Sequence, residues 1–519
     1  MTENSPPVTE TLRAKIKSLS DLGAVCADAR AKGLRVVHAH GVFDLLHLGH
    51  VRHLEAARKL GDLLVVTVTA DSYVNKGPGR PVFLDGLRCE MLAALSCVSY
   101  VAVNNSPSAE TALKAVRPTM YVKGSDYANP EDDITGKITA ERKLVESLGG
   151  HMVFTNEITF SSSHLTNKYL NLYEKPLQEH LEYLRGQNAL DYITKKCNEA
   201  ANLKALIIGD AIIDEYKYVK PLGRPSKEPI LATQFINGEK FAGGVIAAAN
   251  HLASFCKSVD VITALGFENT EEELIRSTLK ANTTLHVVYR KEGPTTLKTR
   301  FVATGYDIRK LFEVYSMNDA PFEGAELNAL NALIEEKIDS YDVVVVNDFG
   351  HGLLAKSTID LLCKRARFLA VNTQANSGNY GYNVITRYPR ADYICLDTNE
   401  ARLATRENHV DINRIVFEQL PSMVACEKFI VTLGKRGAVA WDKKDGATEV
   451  PALTSTIVDT VGAGDAFFAV TAPFAALGVP MAILAFLGNA AGAIKVGIVG
   501  HRSSVERVPF LKFITALMK

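Results

Sequence analysis

Two short segments of this chain combine residue types that handle phosphate. In the first, Gly41-Val-Phe43-Asp44-Leu-Leu-His47-Leu-Gly49-His50, two histidines flank Leu48-Gly49 at a strand-to-helix junction. Two imidazoles and open backbone N–H groups at a helix start attract phosphate, and Gly49 lets a ligand come close to the backbone. A zinc pair and ordinary capping residues are the plainer alternatives; zinc needs a third ligand, which HxxH spacing alone does not supply. In the second, Asp459-Thr-Val-Gly462-Ala463-Gly464-Asp465, small residues precede a long apolar run. Small residues at a helix N-terminus expose successive N–H donors, suited to the negative charge on a transferring phosphoryl group. Asp465 stands where a carboxylate takes the proton of an attacking hydroxyl. In isolation the same four residues also read as a glycine turn with an aspartate cap.

The elements that must position these segments alternate in type. The spacing of Leu12, Ile16, Leu19, Leu22 and Val25 predicts one helix over residues 11–32. Strand-like runs follow at 35–39, 63–68, 100–103 and 120–122, with helix-like stretches at 49–60 and 88–96 between them. This alternation predicts a parallel, doubly wound sheet that ends near Leu170. Residues 173–201 are charged and helix-prone and read as a helical connector. A second α/β block opens at Leu203, with strands at 259–263, 343–347, 393–396 and 429–433, and runs to the C-terminus. The expected domains are therefore 1–172, a connector over 173–202, and 203–519. The class is α/β in both blocks.

Composition sets the outer bounds. A chain of 519 residues exceeds one ordinary core. Hydrophobic residues at 47% and charged residues at 22% are those of a globular protein. The formal net charge is zero, so no global field favours nucleic acid or an anionic membrane. The eight cysteines include no CxxC pair, which argues against a zinc ribbon or a disulfide framework and for a reducing cytoplasmic setting. The polar start, Met1-Thr-Glu-Asn-Ser-Pro-Pro, lacks the apolar core of a signal peptide. From Ala466 to Ile494 no residue is charged, but Pro473, Gly478 and Pro480 interrupt the run, so it reads as two buried helices rather than a membrane span.

The first segment resembles the signature of the cytidylyltransferase-like nucleotidyltransferases. Lys76-Gly-Pro-Gly-Arg80-Pro, Lys123-Gly-Ser-Asp126-Tyr and Phe160-Ser161-Ser162-Ser163 follow in that family's order. The likeness extends over residues 12–170 and is closest to the adenylyltransferase half of bifunctional heptose kinase/adenylyltransferases. HxGH also occurs in class I aminoacyl-tRNA synthetases, but this block is small and carries neither a KMSKS-like stretch nor an evident basic surface for tRNA. The resemblance implies a Rossmann-like domain in which His47 and His50 stabilise the α-phosphate during in-line attack by a substrate phosphate, with pyrophosphate leaving alongside Mg²⁺. No protein nucleophile is needed; catalysis is positioning plus electrostatics. It also implies nucleotide or phosphate contacts for Gly41, Phe43, Asp44, Gly49, Lys76, Lys123 and Ser161 to Ser163, and a substrate contact for Asp126. For Lys76 and Lys123 a solvated surface lysine is the bland alternative, and for the serines a plain N-cap.

The second segment resembles the C-terminal signature of ribokinase-like (PfkB-family) carbohydrate kinases. Ala242-Gly243-Gly244 with Asn250 is similar to that family's N-terminal glycine signature, Gly209-Asp210-x-x-x-Asp214 to its opening strand, and Val431-Thr-Leu-Gly434-x-x-Gly437 and Asn489-x-x-Gly492 to its nucleotide-side segments. The resemblance implies a ribokinase-like domain with a small β lid from 220–241 and 295–302. It implies sugar contacts at Asp214, Gly243, Gly244 and Asn250, nucleotide contacts at Gly434, Gly462, Ala463, Gly464 and Asn489, and Asp465 as base. Asp397-Thr-Asn-Glu400 replaces the usual Asn-x-x-Glu and implies metal contacts at Asp397 and Glu400; the added charge either tightens Mg²⁺ or repels phosphate. Asn372-Thr-Gln374 stands where heptose kinases carry Asp-Pro-Lys, and the transferase block precedes the kinase block, the reverse of the usual order.

Together the resemblances imply a bifunctional enzyme with Mg²⁺, ATP for the kinase, and ATP or CTP for the transferase. Its partners would be sugars or sugar phosphates and nucleotides, with no nucleic acid or membrane, in a homo-oligomer, expected as a dimer. Heptose 7-phosphate is the default substrate, and a separate phosphatase then acts between the two steps. The alternative is an active transferase whose altered kinase fold serves as a sugar-binding or scaffolding module.

Overall fold

The computed structural model describes residues 10–74, 80–124, 137–155, 173–303, 309–444, 446–454 and 457–518. The chain divides into two compact units, residues 1–174 with 511–519, and residues 175–510.

The first unit is built on strands β1 (Ile16–Lys17), β2 (Val36–Gly41), β3 (Leu63–Thr69), β4 (Tyr100–Asn104), β5 (Met120–Gly124) and β6 (His151–Thr155). They form one parallel sheet in the order β1-β4-β3-β2-β5-β6. The direction of winding reverses between β2 and β5, and at such a switch point ligands bind beyond the carboxyl ends of the strands. Val37, Ala39, Leu64, Val66, Val68, Val101 and Val122 are fully buried and pack with the helices Leu48–Arg58 and Asp85–Ala93. Such runs without alternation mark strands covered on both faces.

The single helix expected over 11–32 is in fact broken. Helix Glu10–Lys15 gives way to β1, and a new helix runs Leu19–Ala31. Ile16 and Lys17 pair with Val101 and Ala102, and the Ser18 side chain caps the second helix by accepting from Asp21 N. The apolar spacing survives the break, which hides it from periodicity; the capping serine was the local signal.

In the second unit, strands β7 (Lys204–Gly209), β8 (Ala211–Gly223), β9 (Ala232–Gly244), β10 (Ser258–Leu265), β11 (Thr283–Tyr289), β12 (Thr296–Ala303), β13 (Arg309–Ser316), β14 (Val343–Asp348), β15 (Leu369–Thr373), β16 (Tyr393–Asp397), β17 (Lys428–Thr432), β18 (Ala438–Asp442) and β19 (Gly446–Val450) form two sheets. The main sheet is β11-β10-β7-β14-β15-β16-β17-β18-β19, parallel up to β17 and antiparallel after it. Trp441, the only tryptophan of the chain, sits on β18 against Phe429. The other sheet, β13-β12-β8-β9, is a separate four-stranded layer that includes both segments expected to supply a lid.

The uncharged run folds as helices Ala463–Ala476 and Met481–Lys495, most of whose residues are buried. Among the described residues no helix is long and apolar enough to cross a membrane. Residues 173–201 form two helices, Lys175–Gly186 and Ala189–Ala200. Leu177, Leu181, Leu184, Ile193 and Cys197 are buried, so their polar appearance conceals apolar faces at helical spacing.

Candidate active sites

In the first unit, β2 delivers the chain to the helix Leu48–Arg58. His47 is the N-cap of that helix, with extended backbone, and its Nδ1 accepts from Gly49 N at 3.1 Å. In a neutral ring an accepting Nδ1 leaves Nε2 as the donor, the role a phosphate oxygen requires. The rings of His47 and His50 stack with centroids 3.9 Å apart, so the two imidazoles form one surface at the helix N-terminus. Phe43 supports them edge-on to His50 at 5.3 Å. Its left-handed backbone (φ 50°) is the kind of local strain that collects at functional turns. A side chain at Gly41 would come within 3.2 Å of the Phe43 ring.

Asp44 faces inward. It is wholly buried, pairs with Arg80 Nη1 at 3.0 Å and accepts from the backbone N–H groups of Val82 (2.6 Å) and Phe83 (3.2 Å). It therefore ties the histidine loop to the segment after residue 79. Arg88, also fully buried, donates to the Val42 carbonyl at 2.5 Å and to Thr69 O and Asp71 Oδ1; sequence reasoning gave it no role. Lys123, at the carboxyl end of β5 beside β2, pairs with Glu141 at 2.9 Å. Burial, aided by the Lys123 charge, lowers His38 to about 3 and His53 to about 4, so both rings are neutral. Lys76, Asp126 and Ser161 to Ser163 lie outside the described residues.

In the second unit the carboxyl ends of β7, β14, β15 and β16 present Asp210, Asn347, Gln374 and Asp397 in turn. Asp465 lies in the first turn of helix Ala463–Ala476, whose N-cap Gly462 is left-handed (φ 74°). Its Oδ1 accepts from Gln374 Nε2 at 2.5 Å and Asn347 Nδ2 at 3.2 Å. Burial pushes its carboxyl up from the usual carboxylate value, which makes the ionised form a stronger proton acceptor. Asp214, on β8, pairs with Arg300 of β12 and with His501 Nε2 at 3.2 Å. Burial works to raise its pKa, but His501 and Arg300 together hold it low, at about 2. Asp214 acts on Asp465 through its charge, so the two carboxylates share one region with opposite titration.

The glycines explain how these groups fit. A Cβ at Gly243 would lie 2.1 Å from Asp214 Oδ2, and one at Gly462 would lie 2.5 Å from the His501 ring. Gly244 is left-handed (φ 56°) with Asp210 O at 2.4 Å from its would-be Cβ. Gly434, also left-handed (φ 59°), opens the turn after β17. Around a Cβ built on Gly464 the space is open.

Other expected residues are engaged in the scaffold. Asn250 donates to Thr278 O and accepts from Lys280 N. Asn489 donates to the carbonyls of Val450 and Pro451. Asp397 is exposed and caps helix Thr398–Thr405, with a reciprocal bond from its own N–H to Glu400, each 2.7 Å. Among the described residues no group of three His, Cys, Asp or Glu could hold a metal. Arg300, His501, Asn347 and Lys495 belong to the site and were given no role by the sequence: Asn347 and Arg300 lie in segments that read there only as a strand and a lid, and His501 and Lys495 lie in no motif.

Comparison with known proteins follows the same division. Residues 202–507 match the model of the pfkB family carbohydrate kinases, and residues 38–167 that of the cytidylyltransferase-like family. The first match spans more than half of the chain, which belongs to the pfkB family of carbohydrate kinases. The bifunctional protein HldE of Trichlorobacter lovleyi is 39% identical over 171 residues, 33% of this chain and 32% of that protein. The HldE of Streptomyces coelicolor is 43% identical over 150 residues, 28% of this chain and 31% of that protein. The chain thus spans about a third of the length of the curated relatives it matches. A ribokinase structure from Thermotoga maritima is 20% identical with a TM-score of 0.46, covering 60% of this chain and 99% of that one.

Proposed function

We propose that the chain is a bifunctional enzyme that phosphorylates a sugar or sugar phosphate with ATP and couples a sugar 1-phosphate to AMP or CMP, giving a nucleotide sugar. The observation that carries the kinase reading is the buried Asp465 carboxylate, held by Gln374 and Asn347 at the Gly462 turn and near Asp214. Asp465 takes the proton of the acceptor hydroxyl, and the N–H groups of Gly462 to Gly464 face the charge that develops on the γ-phosphoryl. Asp214 and Arg300 orient the acceptor. Gln374 keeps a donor on Asp465 where heptose kinases have lysine, which favours an active kinase over the scaffolding alternative.

The exposed Asp397 carboxylate fits Mg²⁺, which uses one or two protein carboxylates and takes its remaining ligands from phosphates and water; Glu400, bonded to Asp397 N, sits behind it. When bound, the ion neutralises phosphate charge. Buried Lys298, whose charge Asp214 and Glu313 favour, stands two residues from Arg300, itself paired with the same two carboxylates. In the other unit, the stacked His47 and His50 hold the α-phosphate while the substrate phosphate attacks and pyrophosphate leaves. Exposed Phe235, Ile236, Phe312 and Val314 on the four-stranded sheet support a dimer, to be checked by light scattering.

The test is a mass-spectrometric screen of the chain with Mg²⁺, ATP and CTP against sugars and sugar phosphates, heptose 7-phosphate included. A bisphosphate from heptose 7-phosphate is expected. Phosphorylation of a different sugar followed by a nucleotide sugar reassigns the substrate, and no phosphorylated sugar at all refutes the kinase.

A further inference from the structure

Behind the Gly462 turn lies a lysine that solvent does not reach. Lys495, the last residue of helix Met481–Lys495, is fully buried. Its Nζ donates to two backbone carbonyls, Val461 O and Gly500 O, each at 2.7 Å. A buried ammonium carries a large desolvation penalty unless its surroundings compensate. Here Asp459, Asp465 and Asp214 all favour its charged form against the opposing effect of burial, as does its place at a helix C-terminus.

The same two backbone residues are gripped from their other side. Asp459 Oδ1 accepts from Val461 N at 3.1 Å, and Asp459 Oδ2 accepts from Gly500 N at 2.9 Å. A carboxylate therefore holds both N–H groups and an ammonium holds both carbonyls of Val461 and Gly500. Val461 precedes Gly462, the cap of the phosphoryl-facing helix; Gly500 precedes His501, the partner of Asp214. Because the peptide unit is planar and trans, drawing Val461 O onto the ammonium turns the Gly462 N–H away from it.

We propose that Lys495 is a positioning residue of the kinase: a fixed internal cation that, with Asp459, sets the Gly462 turn and His501 in register and adds positive potential behind the transferring phosphoryl. The inference rests on the kinase reading of this unit. Its consequence is that phosphorylation needs no dissolved monovalent cation, whereas a truncated side chain leaves a carbonyl-lined space of the kind that suits K⁺.

The experiment measures sugar phosphorylation by the full chain in KCl, ammonium chloride and choline chloride at one ionic strength, using the acceptor found in the screen above. The unaltered chain is expected to run equally in all three salts. Lys495→Met should lose about tenfold or more in kcat with a smaller change in KM, as misplacement of catalytic groups produces, while pyrophosphate release by the other unit is unchanged. Lys495→Ala should be as slow in choline and recover severalfold in KCl or ammonium chloride. A Lys495→Met chain that keeps its kcat overturns the assignment, as does a Lys495→Ala chain equally slow in every salt, since the lysine would then serve packing alone. An unaltered chain that phosphorylates no sugar in any salt instead overturns the kinase reading itself.

Discussion

Gln374 Nε2 lies 2.5 Å from Asp465 Oδ1, the same oxygen that receives Asn347 Nδ2. Two amides from neighbouring strands thus fix the rotation of one carboxylate. A hydrogen bond to a charged group contributes roughly 1.5–3 kcal/mol. Gln374→Leu is expected to lower the kcat of sugar phosphorylation by about ten- to a hundredfold. Steady-state rates with pyrophosphate release as the internal control decide it; unaltered kcat would leave Gln374 without a catalytic consequence.

The raised pKa of Asp465 has a definite sign. A base must be ionised, so a carboxyl pushed up by burial moves the acid limb of the kinase pH profile up from the usual carboxylate value. Gln374 acts against that rise, so Gln374→Leu should shift the limb to still higher pH. Asp465→Asn should remove about 10²- to 10⁴-fold of the rate and leave the transferase intact. Retention of full ATP turnover with the accepted sugar present would sink the role given to Asp465.

In the other unit, His47→Ala removes a phosphate donor and the cap contact to Gly49. A loss of about 10²- to 10³-fold in pyrophosphate release is expected, with sugar phosphorylation unchanged. Persistent release would refute the transferase assignment.

What the sequence disclosed and what it withheld follow from physics. His47 with His50, and Gly462 with Asp465, were legible because a helix N-terminus concentrates its chemistry within one turn of chain. The strands β2, β3, β14 and β17 were legible because burial on both faces leaves continuous apolar runs. Arg300 and His501 were not: each meets Asp214 from a strand or loop far away in sequence, and pairing across a sheet leaves no periodic trace. Ile16-Lys17 was misread as helix because sheet pairing with Val101 and Ala102 overrode an apolar spacing that fits either state.

A stability prediction comes from Asp210. Burial, then the charge of Asp348, pushes its carboxyl up to about 7, above the usual value of about 4 in an unfolded chain. Between those values the folded state binds the extra proton, so this residue's contribution to stability falls as pH rises from about 4 to about 7. Asp459, held at about 2 mainly by Lys310 against burial, behaves oppositely and loses its contribution only at acid pH. Asp210→Asn should therefore raise the melting temperature by several degrees at pH 8 and by less at pH 4.5. An equal gain at both values would contradict the burial account.

Trp441 gives the molecule a built-in reporter. Because the one indole of the chain, on β18, packs tilted against Phe429 of the neighbouring β17, its emission follows the environment of the main sheet of residues 175–510 and is silent about the sheet of β1 to β6. Denaturation followed by that emission and by far-ultraviolet ellipticity will coincide only if both units unfold in one cooperative step. Divergent curves would resolve two separate transitions within a single polypeptide, without any added label.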